Sequence, residues 1–159
     1  MLYLDSSALI KHYQNEDGSE ALERKLKVER DNSRIAFTSV LTYAEIHAII
    51  ARRRREQLLT TKEAEELHDR FDADWAFELS PIELTVGVLA SIRGIVGAHP
   101  LRGADVVHLA SALWLRDAAR PGVDPSRSQR EVEFSSSDRQ LCIAARKFGL
   151  EVFNPRASH

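Results

Sequence analysis

An α/β fold, with a central parallel sheet between two layers of helices, is what this sequence predicts. Two patterns point to it. Short apolar runs of strand type alternate with longer runs of helical period along the chain. Most of the strand-like runs lead into a helix-capping residue, so that strand, turn and helix repeat in one direction, which is the arrangement of a parallel sheet covered on both faces. The chain has 159 residues, enough for one domain, and it shows neither an internal repeat nor a linker.

The elements follow in order. Leu2-Tyr3-Leu4 is a short buried strand ending at Asp5. Ser6 or Ser7 then caps a helix carrying Leu9, Ile10 and Tyr13, which Asp17-Gly18 breaks. Ser19 caps a second helix, with Leu22 and Leu26 one turn apart. Ile35 to Thr38 reads as the second strand, and Ser39 caps a helix running through Tyr43, Glu45, Ile46 and Ile49 to an arginine run. Thr60-Thr61-Lys62-Glu63 has capping-box spacing, and Leu67, Phe71 and Trp75 recur every four residues.

Phe77-Glu78-Leu79 is the third expected strand. Ser80-Pro81-Ile82-Glu83 reads as a helix start, with proline at the first helical position. The helix after it is nearly uncharged as far as Arg93, which predicts a buried helix. Arg102 to Arg116 forms another helix, and 117–131 is a polar loop. Val132 to Phe134 is a strand. Ser136 or Ser137 caps a helix that ends at Gly149, and Glu151 to Phe153 is the last strand.

Composition bounds the function. The chain is 43% hydrophobic and 29% charged, a globular balance that excludes global disorder. A domain of this size buries about 70% of the surface its unfolded chain exposes, so it needs no staples. The single cysteine, Cys142, cannot form an internal disulfide and fits a reducing compartment. The start has no basic region of a signal peptide. The least polar run, Leu84 to Ile92, is shorter than the roughly 20 residues a membrane helix needs. These features predict a soluble, cytoplasmic protein. With 22 Lys and Arg against 24 Asp and Glu, the net charge of −2 argues against binding nucleic acid by bulk positive charge. It leaves room for a nuclease whose bound cations change the balance.

Four carboxylates occupy special places. Asp5 sits at the carboxyl end of the first strand, where α/β sheets bind ligands. Asp138 lies just past another strand, in the first turn of a helix. Asp105 lies in the first turn of its own helix, and Glu45 about one and a half turns into the helix after the second strand. Together they would converge on one crevice. Two carboxylates 4 Å apart repel by about 4 kcal/mol at an effective dielectric near 20, so such a cluster calls for a cation or for protonation. An all-oxygen set suits Mg2+ or Mn2+ rather than zinc, and such ions serve phosphodiester hydrolysis. Taken singly, Asp105 and Asp138 also stand where a helix dipole favours any anion.

The sequence around these acids resembles the PIN-domain family, and within it the VapC-like ribonuclease toxins of toxin–antitoxin pairs. Leu4-Asp5-Ser6-Ser7-Ala8-Leu9-Ile10-Lys11 is similar to the first motif of the family, and Glu16-Asp17-Gly18-Ser19 to the turn after it. Thr38 to Ile46 resembles the second motif, with Glu45 as its acid. Leu101 to Leu113, holding Asp105, resembles the third and is the most specific. Phe134 to Leu141, holding Asp138, resembles the last.

The resemblance spans essentially the whole chain. It implies a PIN-like three-layer nuclease domain over 1–155 with a short tail at 156–159. It further implies a Mg2+- or Mn2+-dependent endoribonuclease with Asp5, Glu45, Asp105 and Asp138 around the metal, cutting RNA by in-line attack of an activated water. Ser7 and Ser136 would support the site by hydrogen bonding, Ser136 standing where the family often has threonine. A cognate antitoxin and a second copy of the chain are the implied partners. The loop at 117–131 is longer than the usual connection of the family. Two other readings compete: a PIN-like module that binds RNA or protein without catalysis, and an aspartyl-phosphate phosphotransfer enzyme, whose second aspartate would stand where this chain has Ser7.

Other residues carry weaker signals. Arg120, Arg127 and Arg130 in the loop are candidate RNA contacts. Arg52 to Arg55 span all faces of a helix end and read as cations complementing its dipole. His108, on the helix face of Asp105, reads as a buried, hydrogen-bonded histidine, and His47 as pointing away from Glu45. Cys142, Trp75 and Trp114 read as core residues.

Overall fold

A computed structural model describes residues 1–32, 36–119 and 131–157. Five strands form one parallel sheet in the order β3-β2-β1-β4-β5. They are β1 (Leu2–Leu4), β2 (Ala36–Ser39), β3 (Leu79–Ile82), β4 (Glu133–Ser135) and β5 (Glu151–Phe153). Helices α1 (Ser6–Tyr13), α2 (Ser19–Asp31), α3 (Leu41–Arg55) and α4 (Thr61–Phe77) precede β3. Helices α5 (Val86–Ala98), α6 (Gly103–Ala118) and α7 (Arg139–Lys147) follow it, and a 3-10 turn closes the described chain at Pro155–Ala157.

Strand β1 shows why the fold has three layers. Successive side chains of a strand point to opposite faces. Tyr3 enters a core built with Val88, Ile95, Leu109 and Leu141 of α5, α6 and α7. Leu2 and Leu4 enter the opposite core, with Leu9, Leu22, Ile46 and Phe71 of α1 to α4. All three β1 residues are fully buried, as expected of a central parallel strand.

The fold class and most elements match the sequence reading, including the capping box of Thr60 with Glu63. Two regions differ. Phe77 ends α4 and is 87% exposed. The residues Leu79–Ile82 form β3, with Pro81 paired to Thr38, and the next helix begins only at Val86, capped by Thr85. Strand β3 is a sheet edge, where a residue without an N–H costs no ladder bond. Helix α5 is also less buried than its apolar sequence suggests. Val88 and Ile95 are buried, but Val86 is 84% and Val96 56% exposed. Trp114 of α6, expected in the core, is 36% exposed and lies over α5. Gly87 permits this: a Cβ there would stand 2.7 Å from the Trp114 indole nitrogen.

Among the described residues, no helix is long and apolar enough to cross a membrane.

Candidate active site

The sheet order sets the place. From β1 the chain moves outward through β2 and β3, then returns to the other side of β1 for β4 and β5. The switch point therefore lies at the carboxyl ends of β1 and β4, where open α/β sheets bind ligands. Asp5 and Ser136 leave those two ends side by side, and the Asp5 N–H donates to the Ser135 carbonyl at 3.0 Å.

Asp5 is the N-cap of α1 and is 3% exposed. Its Oδ1 accepts from the Ala8 N–H at 2.8 Å, and the Ser136 hydroxyl donates to Oδ2 at 2.7 Å. The Ser7 hydroxyl lies 2.9 Å from both carboxylate oxygens. The serines are themselves fixed: the Ser137 N–H donates to Ser7 Oγ at 2.9 Å, and the Asp138 N–H to Ser136 Oγ at 3.0 Å. Burial pushes the Asp5 carboxyl above its usual range, and the hydrogen bonds from Ser136, Ala8 and Ser7 oppose the rise.

Asp138 is the N-cap of α7, its Oδ1 accepting from the Leu141 N–H at 2.9 Å. The caps of α1 and α7 are thus site carboxylates, not the neighbouring serines the sequence suggested. Ser7 and Ser136 have their hydroxyls committed to Asp5, and a carboxylate is the stronger acceptor at the positive end of a helix. The start of α2 differs in the same way, with Gly18 at the cap and Ser19 inside the helix. Gly18 has φ +90°, and a Cβ there would lie 2.8 Å from the Pro155 backbone.

Asp105 lies in the first turn of α6. Burial raises its carboxyl above the usual range, and the charge of Asp138 adds to the rise. The two acids share a cleft of about 310 Å3, lined also by Leu101, Arg102, Arg139 and Gln140. Glu45 approaches from α3, its Oε2 lying 2.7 Å from His108 Nε2.

Asp105 and Asp138 thus share the cleft, Glu45 meets His108, and Asp5 lies buried at the end of β1. Among the described residues, no three His, Cys, Asp or Glu side chains are grouped so that they could hold a metal ion by themselves. The donor set nonetheless fits a hard divalent ion. It is all carboxylate oxygen, burial disfavours the charged forms of Asp5 and Asp105, and Mg2+ takes one or two carboxylates while keeping several waters.

His108 is buried and hydrogen-bonded, as its sequence position suggested, but its partner is Glu45. That link was missed, as were Arg102 and Arg139 at the cleft; the three-residue step from Asp105 to His108 was the available signal. Arg120, Arg127 and Arg130 lie outside the described residues. In the arginine run, Arg53 turns to Glu16 at 2.9 Å while Arg52, Arg54 and Arg55 are exposed. His47 faces His68 and Asp72, away from the site. Trp75 packs partly buried against the α1-to-α4 core. Cys142 is 2% exposed and its thiol donates to the Ser136 carbonyl at 3.3 Å.

The PIN domain family matches residues 2–119, a span holding Asp5, Glu45 and Asp105. Two ribonucleases of Mycobacterium tuberculosis, VapC45 (strain CDC 1551 / Oshkosh) and VapC49 (strain ATCC 25618 / H37Rv), are each 36% identical over 117 residues, covering 74% of this chain and 78% of theirs. The fold is also similar to two solved structures, each with a TM-score of 0.65. One is VapBC2 from Rickettsia felis bound to a DNA fragment from their promoter, at 10% identity, covering 97% of this chain and 98% of that one. The other is FitAcB from Neisseria gonorrhoeae, at 18% identity, covering 98% of each chain. A parallel sheet with an acid at its switch point, together with these matches, places the chain in the PIN-domain family, beside its VapC ribonucleases.

Proposed function

We propose that this chain is an endoribonuclease dependent on Mg2+ or Mn2+, acting as the toxin of a toxin–antitoxin pair. The observation that carries the reading is Asp5, a carboxylate 3% exposed at the switch point, gripped by serine hydroxyls and a backbone N–H. No lysine or arginine among the described residues pairs with it. A buried anion so held fits a divalent cation better than a structural role. The ribonuclease names of the curated relatives support the same chemistry.

Asp5, Glu45, Asp105 and Asp138 would hold the ion. When bound, it supplies activation of a water and offsets charge on the leaving oxygen. The residues of the chain do the rest. Ser7 and Ser136 hold Asp5 in one rotamer. Arg102 and Arg139 line the cleft beside Asp105 and Asp138 and would take the flanking RNA phosphates. One of the carboxylates would accept the proton of the attacking water.

A cognate antitoxin is the partner this role requires, and the cytoplasm is where both would act. A second copy of the chain would cover the exposed apolar residues Val86, Leu89 and Val96 of α5.

Incubating the purified chain with RNA in Mg2+, Mn2+ or a chelator tests the reading. Internal cleavage is expected with either ion, and none in chelator or for Asp5→Asn at unchanged far-UV circular dichroism. Cleavage in chelator, or full activity of Asp5→Asn, would overturn it. RNA binding without cleavage would favour the catalysis-free module instead.

A further inference from the structure

We propose that His108 is the positioning residue of Glu45: one imidazole, anchored on Tyr3, fixes which carboxylate oxygen of Glu45 is left for the ion. The inference rests on the metal-dependent reading above and deepens it.

His108 is 1% exposed in the first half of α6. Its Nδ1 lies 3.1 Å from the Tyr3 hydroxyl and its Nε2 2.7 Å from Glu45 Oε2. Three distant segments therefore meet in one line: strand β1, helix α6 and helix α3. Both ring nitrogens end on side chains. A histidine that merely satisfies itself in a core needs only backbone carbonyls or water.

The line has a direction. Tyr3 is fully buried, stacked on Phe134 at 5.4 Å between ring centres and set edge-on to His108. Its hydroxyl is thus fixed in place. A phenol that donates to Nδ1 leaves the imidazole proton on Nε2, which then donates to Glu45. The hydrogen bond to one ring nitrogen sets the role of the other.

Glu45 is a flexible side chain, 24% exposed, with no other side-chain hydrogen bond among the described residues. Ordering such a chain costs rotamer entropy at the moment of binding unless it is ordered beforehand. His108 orders it by occupying Oε2, leaving Oε1 for the ion. Residues that orient a ligand in this way typically change metal affinity by about 10–100-fold.

Manganese titration of the full chain, with thermal melting and steady-state RNA cleavage alongside, tests the proposal on His108→Leu, His108→Gln and Tyr3→Phe. His108→Leu is expected to weaken Mn2+ binding by about 10–100-fold and to lower kcat more than it raises KM. His108→Gln places an amide N–H near the lost Nε2–H and is expected to recover most of both. Tyr3→Phe keeps the ring packing but releases the imidazole, so its Mn2+ affinity falls between that of the parent and that of His108→Leu.

A folded His108→Leu that binds Mn2+ within about twofold of the parent would overturn the proposal, as would a His108→Gln equally impaired at equal stability. If His108→Leu does not fold, Tyr3→Phe decides: unchanged Mn2+ affinity at unchanged melting temperature counts against the proposal, and a loss supports it. Glu45→Gln and Asp5→Asn in the same titration separate the two levels. If they too bind Mn2+ like the parent, the metal-dependent reading itself fails.

Discussion

The hydroxyl of Ser136 donates to Asp5 Oδ2 at 2.7 Å, joining residues 131 positions apart at the ends of two adjacent strands. Ser136 Oγ in turn accepts from the Asp138 N–H at 3.0 Å, so one serine ties Asp5 to Asp138. Ser136→Ala should therefore cost about 1.5–3 kcal/mol, the range for a hydrogen bond to a charged group, and should lower RNA cleavage. Ser136→Thr keeps the hydroxyl and should retain most of both. Urea denaturation and a cleavage assay check the pair; equal loss in the two variants would place the effect in packing.

Arg102 and Arg139 border the cleft that holds Asp105 and Asp138, yet neither forms a side-chain hydrogen bond or ion pair among the described residues. Their guanidinium groups are thus available to phosphate. In an Asp5→Asn background, where RNA is bound but not cut, replacing either by alanine should weaken single-stranded RNA. Each lost phosphate contact should also flatten the slope of log affinity against log salt by about 0.7. Fluorescence anisotropy at several salt concentrations reads both. An unchanged slope would remove these arginines from the RNA path.

What was legible in the sequence was local. The strand before Asp5, the capping box at Thr60 and the first-turn position of Asp105 each depend on a few neighbouring residues, and each formed as read. Ser80-Pro81-Ile82-Glu83 suits a helix start as well as an edge strand, and only the sheet order decides which. The exposure of Val86 and Val96 depends on what covers α5, which no periodicity reports. The capping serines lost to Asp5 and Asp138 because their hydroxyls were drawn into contacts across the sheet. The same holds for His108: its face of α6 was visible, but the approach of Glu45 on α3 is a tertiary fact.

Lys11 is 1% exposed, and its ammonium donates to Glu16 Oε1 and to the Asp17 carbonyl, each at 2.7 Å. Burial tends to raise the Glu16 carboxyl, but hydrogen bonds from Lys11 and Arg53 outweigh it and hold the group below its usual value of 4.5. A carboxylate with a lowered folded value contributes stability that is complete above the unfolded value and is lost as pH falls through the folded one. Glu16→Gln should therefore flatten the loss of stability below about pH 4.5. At pH 7 it should cost about 2–3 kcal/mol, less than a fully buried pair because the Glu16 side chain is 24% exposed. Denaturant melts between pH 3 and 7 measure both effects, and a parallel pH profile for parent and variant would contradict the assignment.

Cys142 sits directly behind the site, with its thiol on the Ser136 carbonyl. Burial, then the negative charge of Asp5, pushes the thiol up to about 11. At pH 8 its thiolate fraction is therefore about a hundredfold below that of a free cysteine, and being 2% exposed slows attack further. A thiol reagent should leave the native chain essentially unlabelled over minutes and take up one equivalent at once in denaturant. Labelling then requires α7 to part from β4, so its rate reports the opening of the junction that carries Ser136 and Asp138. Ser136→Ala loosens that junction and should speed labelling without changing the denatured rate; fast labelling of the native parent would mean that Asp5 is held less rigidly than its hydrogen bonds imply.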